Sequence, residues 1–122
     1  MNEFQQQSTL IGATYEEQVF QENPHFQNKI KFKEVGVDAD FHFTNDNGIL
    51  NVIECKAYNQ QRTDCIKKAI ANAFCIKHEK PDCKFILYLG KKVKPNLSGD
   101  KMLKAAIAEG KIDEVVILPY KI

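Results

Sequence analysis

The chain has 122 residues, of which 43% are hydrophobic, 17 are basic and 16 are acidic, and its formal net charge is +1. This length suits one compact domain around a single core, so we expect residues 1–122 to form one domain without a separate specificity domain. The balanced charge excludes the strong overall positive field with which many proteins attract nucleic acid.

The sequence also lacks the motifs of several common protein classes. No apolar run is long enough for a signal peptide or a membrane span, and there is no Cys-x-x-Cys pair, so we expect a cytoplasmic protein with no membrane partner. Phosphate-binding glycine loops and the Rossmann fingerprint are missing, which predicts no small-molecule cofactor. Cys75 and His78, with Cys83 nearby, could ligate zinc by their spacing, but we interpret them as apolar cysteines and a helix-end histidine.

The first part of the chain predicts a helix followed by a three-stranded segment. Residues 1–8 are polar and glutamine-rich, and we expect them to be flexible. Ser8 or Thr9 is expected to cap a helix that runs to about Gln21, since its apolar residues recur every four positions. Residues 29–33 alternate basic and apolar side chains, which indicates a half-exposed strand, and two further strands flank a polar turn at residues 45–48.

The second half of the chain alternates helices and strands. The apolar pattern predicts a helix at 63–77 capped by Thr63, a central strand at 84–90, a helix at 100–108 and a last strand at 114–118. Strands that alternate with helices indicate an α/β core with parallel neighbours.

The turn at residues 45–48 decides which side chains meet across the hairpin. A two-residue Asn47-Gly48 loop would set Asp40 opposite Cys55, whereas a three-residue loop with Gly48 in the left-handed region sets Asp40 opposite Glu54. We favour the three-residue loop, because it separates the polar and apolar side chains onto two faces. The predicted polar face holds Asp38, Asp40, Glu54 and Lys56, and the predicted apolar face holds Val37, Ala39, Phe41, Phe43, Ile53 and Cys55.

These residues resemble a known family. Asp40, then thirteen residues, then Glu54-Cys55-Lys56 is similar to the Asp and Glu-x-Lys signature of the PD-(D/E)XK nuclease superfamily, which includes restriction endonucleases and Holliday junction resolvases. Residues 12–16, which open the first helix, are similar to the family's first helix, and the resemblance implies that Glu16 lies near the metal site. Ala39 departs from the pattern, since many members have proline there, and this leaves Asp38 as a rival metal ligand.

The resemblance implies a restriction endonuclease-like core in the order αβββαβ plus a C-terminal αβ unit, with a central mixed sheet. It also implies a Mg²⁺-dependent deoxyribonuclease, with Mn²⁺ as a substitute. Magnesium would be held by Asp40, Glu54 and the main-chain carbonyl of Cys55, which are the hard oxygen ligands it prefers. Lys56 would orient or deprotonate the attacking water or neutralise charge, and Glu16 would complete the shell through water.

DNA is the expected partner, and its contacts are expected from polar and basic residues beyond the signature. Those residues are Gln60, Arg62, Lys67, Lys91 and Lys92. We also expect a homodimer, because a duplex has two scissile phosphates and each chain carries one Asp40, Glu54 and Lys56 set.

Other interpretations of the same residues stay open. Glu54 and Lys56 lie two apart on a strand and are also compatible with a solvent-facing ion pair. The clustered basic residues are likewise compatible with an ordinary solvated surface. Gln60 could contact DNA or merely cap the following helix. The alternative functions are a catalytically inactive nucleic-acid-binding or assembly subunit with this fold, and an unrelated small α/β domain.

Overall fold

The computed structural model describes residues 3–58 and 61–121, which form three helices and five strands. These elements are α1 (Glu3–Glu22), β1 (Gln27–Phe32), β2 (Val37–Thr44), β3 (Leu50–Lys56), α2 (Thr63–Glu79), β4 (Lys84–Leu89), α3 (Ser98–Ala108) and β5 (Glu114–Ile117). Their order is the one predicted from the sequence. Across these described ranges, no helix is both long and apolar enough to cross a membrane.

The five strands form one mixed sheet in the order β1-β2-β3-β4-β5. The pairs β1–β2 and β2–β3 are antiparallel, whereas β3–β4 and β4–β5 are parallel. The predicted α/β fold with a central mixed sheet is therefore confirmed. Strands β3 and β4 are the most buried, which agrees with their nearly continuous apolar sequences.

Helices cover both faces of the sheet. On one face, α2 and α3 pack against Val52 and Leu87, and on the other face α1 packs against Ile53 and Ile86. Because successive side chains of a strand point to opposite faces, Glu54 belongs to the face that α2 covers. The sheet thus places the Glu-x-Lys segment beneath α2 and the intervening Cys55 beneath α1.

The hairpin between β2 and β3 has the predicted three-residue loop. Asn45 N–H donates to the Ile49 carbonyl at 3.0 Å, and Gly48, whose φ is +77°, donates its N–H to the Asn45 carbonyl at 2.9 Å. Phe41 lies opposite Ile53 in the resulting register, which confirms the longer loop. The side-chain oxygen of Asn45 also accepts from the main-chain N–H groups of the loop, so this residue fixes the turn that the following Gly48 permits.

Strand β2 does not have the single apolar face that the sequence predicts. Ala39 packs in the cluster under α2, together with Val37, whereas Phe41 packs in the cluster under α1. The pairs Ile30–Ala39 and Asn28–Phe41 keep one continuous register with β1, so no residue is inserted at this point. We attribute the change of face to twisting of the β1–β2 ribbon, which is largest in two-stranded segments. Asp40 lies where the strand changes face.

The bounds of several elements also differ from the sequence prediction: β1 covers Gln27–Phe32 instead of residues 29–33, and α2 ends at Glu79 instead of about residue 77. Helix α1 begins at Glu3, so Thr9 lies inside the helix instead of capping it, because the polar glutamines before it are good helix formers. Thr63 is the first residue of α2, and Arg62 occupies the N-cap position. Helix α3 begins at Ser98, two residues before the predicted Asp100, whose carboxylate accepts the N–H of Asn96 at 2.9 Å.

Candidate active site

The carboxylate of Asp40 is inserted between two strands. Its Oδ2 accepts the main-chain N–H of Cys55 at 2.7 Å. A charge-assisted hydrogen bond of this length fixes the carboxylate at the centre of the sheet, beyond the paired residues Phe41 and Ile53. Asp40 is therefore brought next to the Glu-x-Lys segment by its side chain as well as by the register of the hairpin.

Glu54 is a nearly fully buried acid, with 5% of its surface exposed. Its Oε1 accepts a hydrogen bond from Asn72 of α2 at 2.7 Å and lies 4.0 Å from Lys56 Nζ. Its Oε2 is also buried, and within the described part of the chain it has no hydrogen-bond partner. Buried polar atoms are rarely left in this state, so Oε2 marks a place for a cation or a proton donor.

Burial and neighbouring charge raise the pKa of two acids in this region. Desolvation raises the pKa of Glu54 to about 7, the charge of Asp40 adds to the rise, and Lys56 and Asn72 oppose it. Glu16, which projects from α1, also has its pKa raised to about 7, first by burial and then by the charge of Asp40 and a hydrogen bond to it. Three carboxyl groups from three elements therefore share one desolvated region, which is the electrostatic setting of many catalytic sites.

Lys56 lies at the end of β3 and keeps 24% of its side chain exposed. Its Nζ lies 4.0 Å from Glu54 Oε1, which is the limit of ion-pair distance. It therefore contributes positive charge to the site without blocking the Glu54 carboxylate from another ligand. The predicted ligand rival Asp38 is exposed on β2 and lies opposite Lys31 of β1. The hydrogen bonds described above involve Asp40 and not Asp38.

The residues at this place suit a divalent ion that takes only a few of its ligands from the protein. Among residues 3–58 and 61–121, no three His, Cys, Asp or Glu side chains are arranged to hold a metal ion. Cys75, His78 and Cys83 do not form such a group. Magnesium usually takes one or two carboxylates and keeps several waters, so Asp40, Glu54 and the Cys55 carbonyl suit it without a third side chain. The buried Oε2 of Glu54, which finds no hydrogen-bond partner in residues 3–58 and 61–121, supports this fit.

The predicted DNA-contacting residues divide between two places. Arg62 precedes α2, while Lys91 and Lys92 follow β4, so all three lie at the carboxyl ends of the parallel strands, where Lys56 ends β3. Gln61 Nε2 also donates to the Lys92 carbonyl at 3.4 Å and links the two segments. Lys67 instead borders an apolar groove of about 540 Å³ between α2 and α3. The predicted Gln60 lies outside the described residues.

Two residues near the site were not identified from the sequence. Asn72 could have been found as a polar residue three positions after buried Ala69 and four before buried Ile76 on α2. Lys29 lies near Glu16, since its charge opposes the rise in that pKa, and it could be found only once the register of β1 with β2 was known.

Comparison with solved structures identifies the class of fold. A repair endonuclease from Pyrococcus abyssi has a TM-score of 0.58 and 16% identity over 89% of this chain and 47% of its own. EndoMS in its apo form has a TM-score of 0.52 and 18% identity, over 87% of this chain and 45% of its own. EndoMS in a complex with dsDNA has a TM-score of 0.54 and 18% identity, over 92% of this chain and 46% of its own. The chain therefore shares its fold with these endonucleases and spans slightly less than half of their length. No family model matches the chain, and no curated protein matches it either.

The raised pKa of Glu54 predicts that the metal-free protein loses stability as pH rises. The folded state binds the proton more tightly than the unfolded chain does, so the free energy of unfolding should fall between about pH 4.5 and pH 7, by up to about 3 kcal/mol for Glu54. Glu16 contributes with the same sign but less, because it is half exposed.

Urea unfolding with chelator at several pH values measures this effect. Glu54→Gln should flatten the profile, and Glu22→Gln, an exposed acid at the end of α1, should leave it as in the parent. A parent protein whose stability rises over this pH range would contradict the assignment.

Proposed function

We propose that the protein is a metal-dependent endonuclease of the PD-(D/E)XK superfamily that hydrolyses phosphodiester bonds in DNA. The observation that carries this proposal is the buried Oε2 of Glu54, which has no hydrogen-bond partner among the described residues. The same side chain interacts with the charges of Asp40 and Lys56 at the end of β3. The shared fold with solved repair endonucleases supports it, and one of those structures is a complex with double-stranded DNA. Free cysteines, two of them buried, suit the reducing cytoplasm as the site of action.

The roles of the chain's residues follow from their positions. Magnesium, or manganese in its place, would activate a water and neutralise charge on the phosphate. Asp40, Glu54 and the Cys55 carbonyl would hold it, and Asn72 keeps Glu54 oriented by its hydrogen bond to Oε1. Lys56 Nζ would orient the attacking water, accept its proton or neutralise the developing negative charge.

A second candidate function is DNA binding by the same fold and the same surface, without cleavage of the DNA. Arg62, Lys91 and Lys92 lie at the same end of the sheet as the acids and could hold a nucleic acid in a non-enzymatic binding or assembly subunit. A panel of plasmid, linear duplex and four-way-junction DNA with magnesium or manganese separates the two functions. Cleavage of any substrate that depends on the ion supports the enzyme, and binding to all of them without cleavage supports the subunit.

Asp40 and Glu54 are predicted to bind one divalent ion together. Calorimetry with Mn²⁺ should give a single site in the parent and little or no heat of binding for Asp40→Ala, because Asp40 is held beside Glu54 by the Cys55 amide. Asp38→Ala is the matched control, since the same change on the same strand removes an exposed carboxylate. Loss of the ion with Asp38→Ala alone would transfer the ligand role to Asp38.

Lys56→Met is predicted to abolish DNA cleavage while the fold and DNA binding persist. A lysine that acts on the transition state contributes to the rate of the chemical step, whereas an ion-pair lysine contributes at most about 1 kcal/mol to stability. Gel assays of cleavage and circular dichroism of the same samples give both readouts. Lys84→Met, an exposed lysine at the far end of the sheet, should retain the parent rate. Normal turnover by folded Lys56→Met would refute the catalytic role.

The proposed working form is a homodimer. One chain provides a single Asp40, Glu54 and Lys56 set, and its net charge of +1 gives little overall attraction for DNA, so two chains would supply both cuts and a joint basic surface. Sedimentation equilibrium at micromolar protein should give twice the mass of the chain. Paired cuts in duplex DNA by a strict monomer would contradict the dimer without affecting the site itself.

A further inference from the structure

Lys29 of β1 is the cross-strand neighbour of Asp40. The partners Asn28–Phe41 and Ile30–Ala39 on either side place Lys29 directly opposite Asp40. Side chains that face each other across an antiparallel pair point to the same side of the sheet, with Cβ atoms about 5 Å apart. The strand register therefore directs a lysine toward the same region as the carboxylate of Asp40.

A cleft of about 480 Å³ opens on this side of the acids, between α1 and the β1–β2 ribbon. Its lining residues are Ala13, Glu16, Glu17, Phe20, Asn28, Lys29, Asp40 and Phe41. Lys29 supplies positive charge to this lining, and Asn28 beside it supplies an amide. The cleft is continuous with the candidate active site, since Glu16 and Asp40 belong to both.

The ammonium group of Lys29 is near the acids without being paired to them. The ion pairs within 4.0 Å among the described residues are Lys56–Glu54, Lys77–Asp113 and Lys104–Asp100. Lys29 still lowers the pKa of Glu16 by its charge, so it lies within range of the cluster, and its side chain is exposed. A lysine that served only to neutralise these acids would be expected in contact with one of them. Lys29 instead keeps its donors available for an anion.

We propose that this cleft is a subsite for the cleaved DNA strand, in which Lys29 contacts the phosphate next to the scissile one on the α1 side. This inference rests on the proposed function, because the scissile phosphate is placed at Asp40, Glu54 and Lys56. Arg62, Lys91 and Lys92 lie at the carboxyl ends of the parallel strands, so the strand would have positive charge on both sides of the cut. The long, flexible lysine stem suits contact with a phosphate that is displaced from the acids.

The salt dependence of DNA binding tests the phosphate contact. Fluorescence anisotropy with a labelled linear duplex, in Ca²⁺ and at several salt concentrations, gives the affinity and its slope against log salt. Lys29→Met should weaken binding about three- to tenfold and reduce the magnitude of the slope by about 1, since one counterion fewer is released. Lys29→Arg, which keeps the charge, should restore both values. Lys84→Met, with the same loss of charge at the amino end of β4, should match the parent.

Neutral linkages locate the contact along the strand. A series of duplexes is prepared, each with one methylphosphonate in place of a phosphate. At one position beside the cleavage point, this replacement should weaken DNA binding by the parent protein but not by Lys29→Met. The two changes would then remove the same interaction, which is the criterion of a double-mutant cycle.

The outcomes distinguish this inference from the proposed function. If the parent cleaves DNA while Lys29→Met matches Lys84→Met in affinity and slope, the subsite is refuted and the nuclease stands. If the parent binds DNA without cleaving it and the Lys29 effects appear, the subsite stands as a binding site and the enzyme is refuted. Stronger Mn²⁺ binding by Lys29→Met with unchanged DNA affinity would make Lys29 a counter-ion of the acids and would also refute the subsite.

Discussion

The hydrogen bond from the Cys55 amide to Asp40 is the contact on which the candidate site depends. Asp40 lies where β2 passes from the layer under α2 to the layer under α1, and its carboxylate takes a main-chain donor of β3. A strand that kept one apolar face would turn the side chain of Asp40 fully toward one helix layer. The twist of the β1–β2 ribbon instead lets one carboxylate contact β3, interact with Glu16 on α1 and remain close to Glu54 under α2. The geometry of the site is thus a consequence of how an outer strand ribbon is twisted.

The apolar packing of the fold offsets the unfavourable electrostatics of the buried carboxylates in the site. Moving a carboxylate out of water without a full set of partners is unfavourable, and three acids in one region repel each other as well. Asn72 donates to one oxygen of Glu54, Lys56 stays at 4.0 Å, and the second oxygen has no partner among the described residues. The large apolar clusters on both faces of the sheet hold the acids together. Such an arrangement is unfavourable for folding stability, and in the proposed enzyme it would keep a binding position for the cation, which is a common compromise at functional sites.

The parts of the site that could be predicted from the sequence are those fixed by local chemistry. Asn45 and Gly48 determine the turn, and the turn determines the register that pairs Phe41 with Ile53. Asp40 and Glu54 are the next residues along the two strands, so this register brings them together. Asn72 could not be assigned in the same way, because its contact depends on the rotation of α2 about its own axis over β3. The single apolar face predicted for β2 was wrong because period-two alternation assumes an untwisted strand. The start of α1 was missed because polar glutamines are compatible with both a frayed end and an exposed helix.

The distribution of charge matters more for the proposed function than the net charge of +1. The acids are concentrated where β2 and β3 meet. Lys29 of β1 lies opposite Asp40, and Arg62 and Lys92 lie in the segments that follow β3 and β4. An ion held by Asp40 and Glu54 would neutralise negative charge beside Lys29 and make the electrostatic potential of this region more positive. In the proposed enzyme, metal binding and DNA binding would therefore strengthen each other, and by thermodynamic linkage to the same extent. A nearly neutral domain could in this way attract DNA strongly only when it carries the ion that the reaction needs.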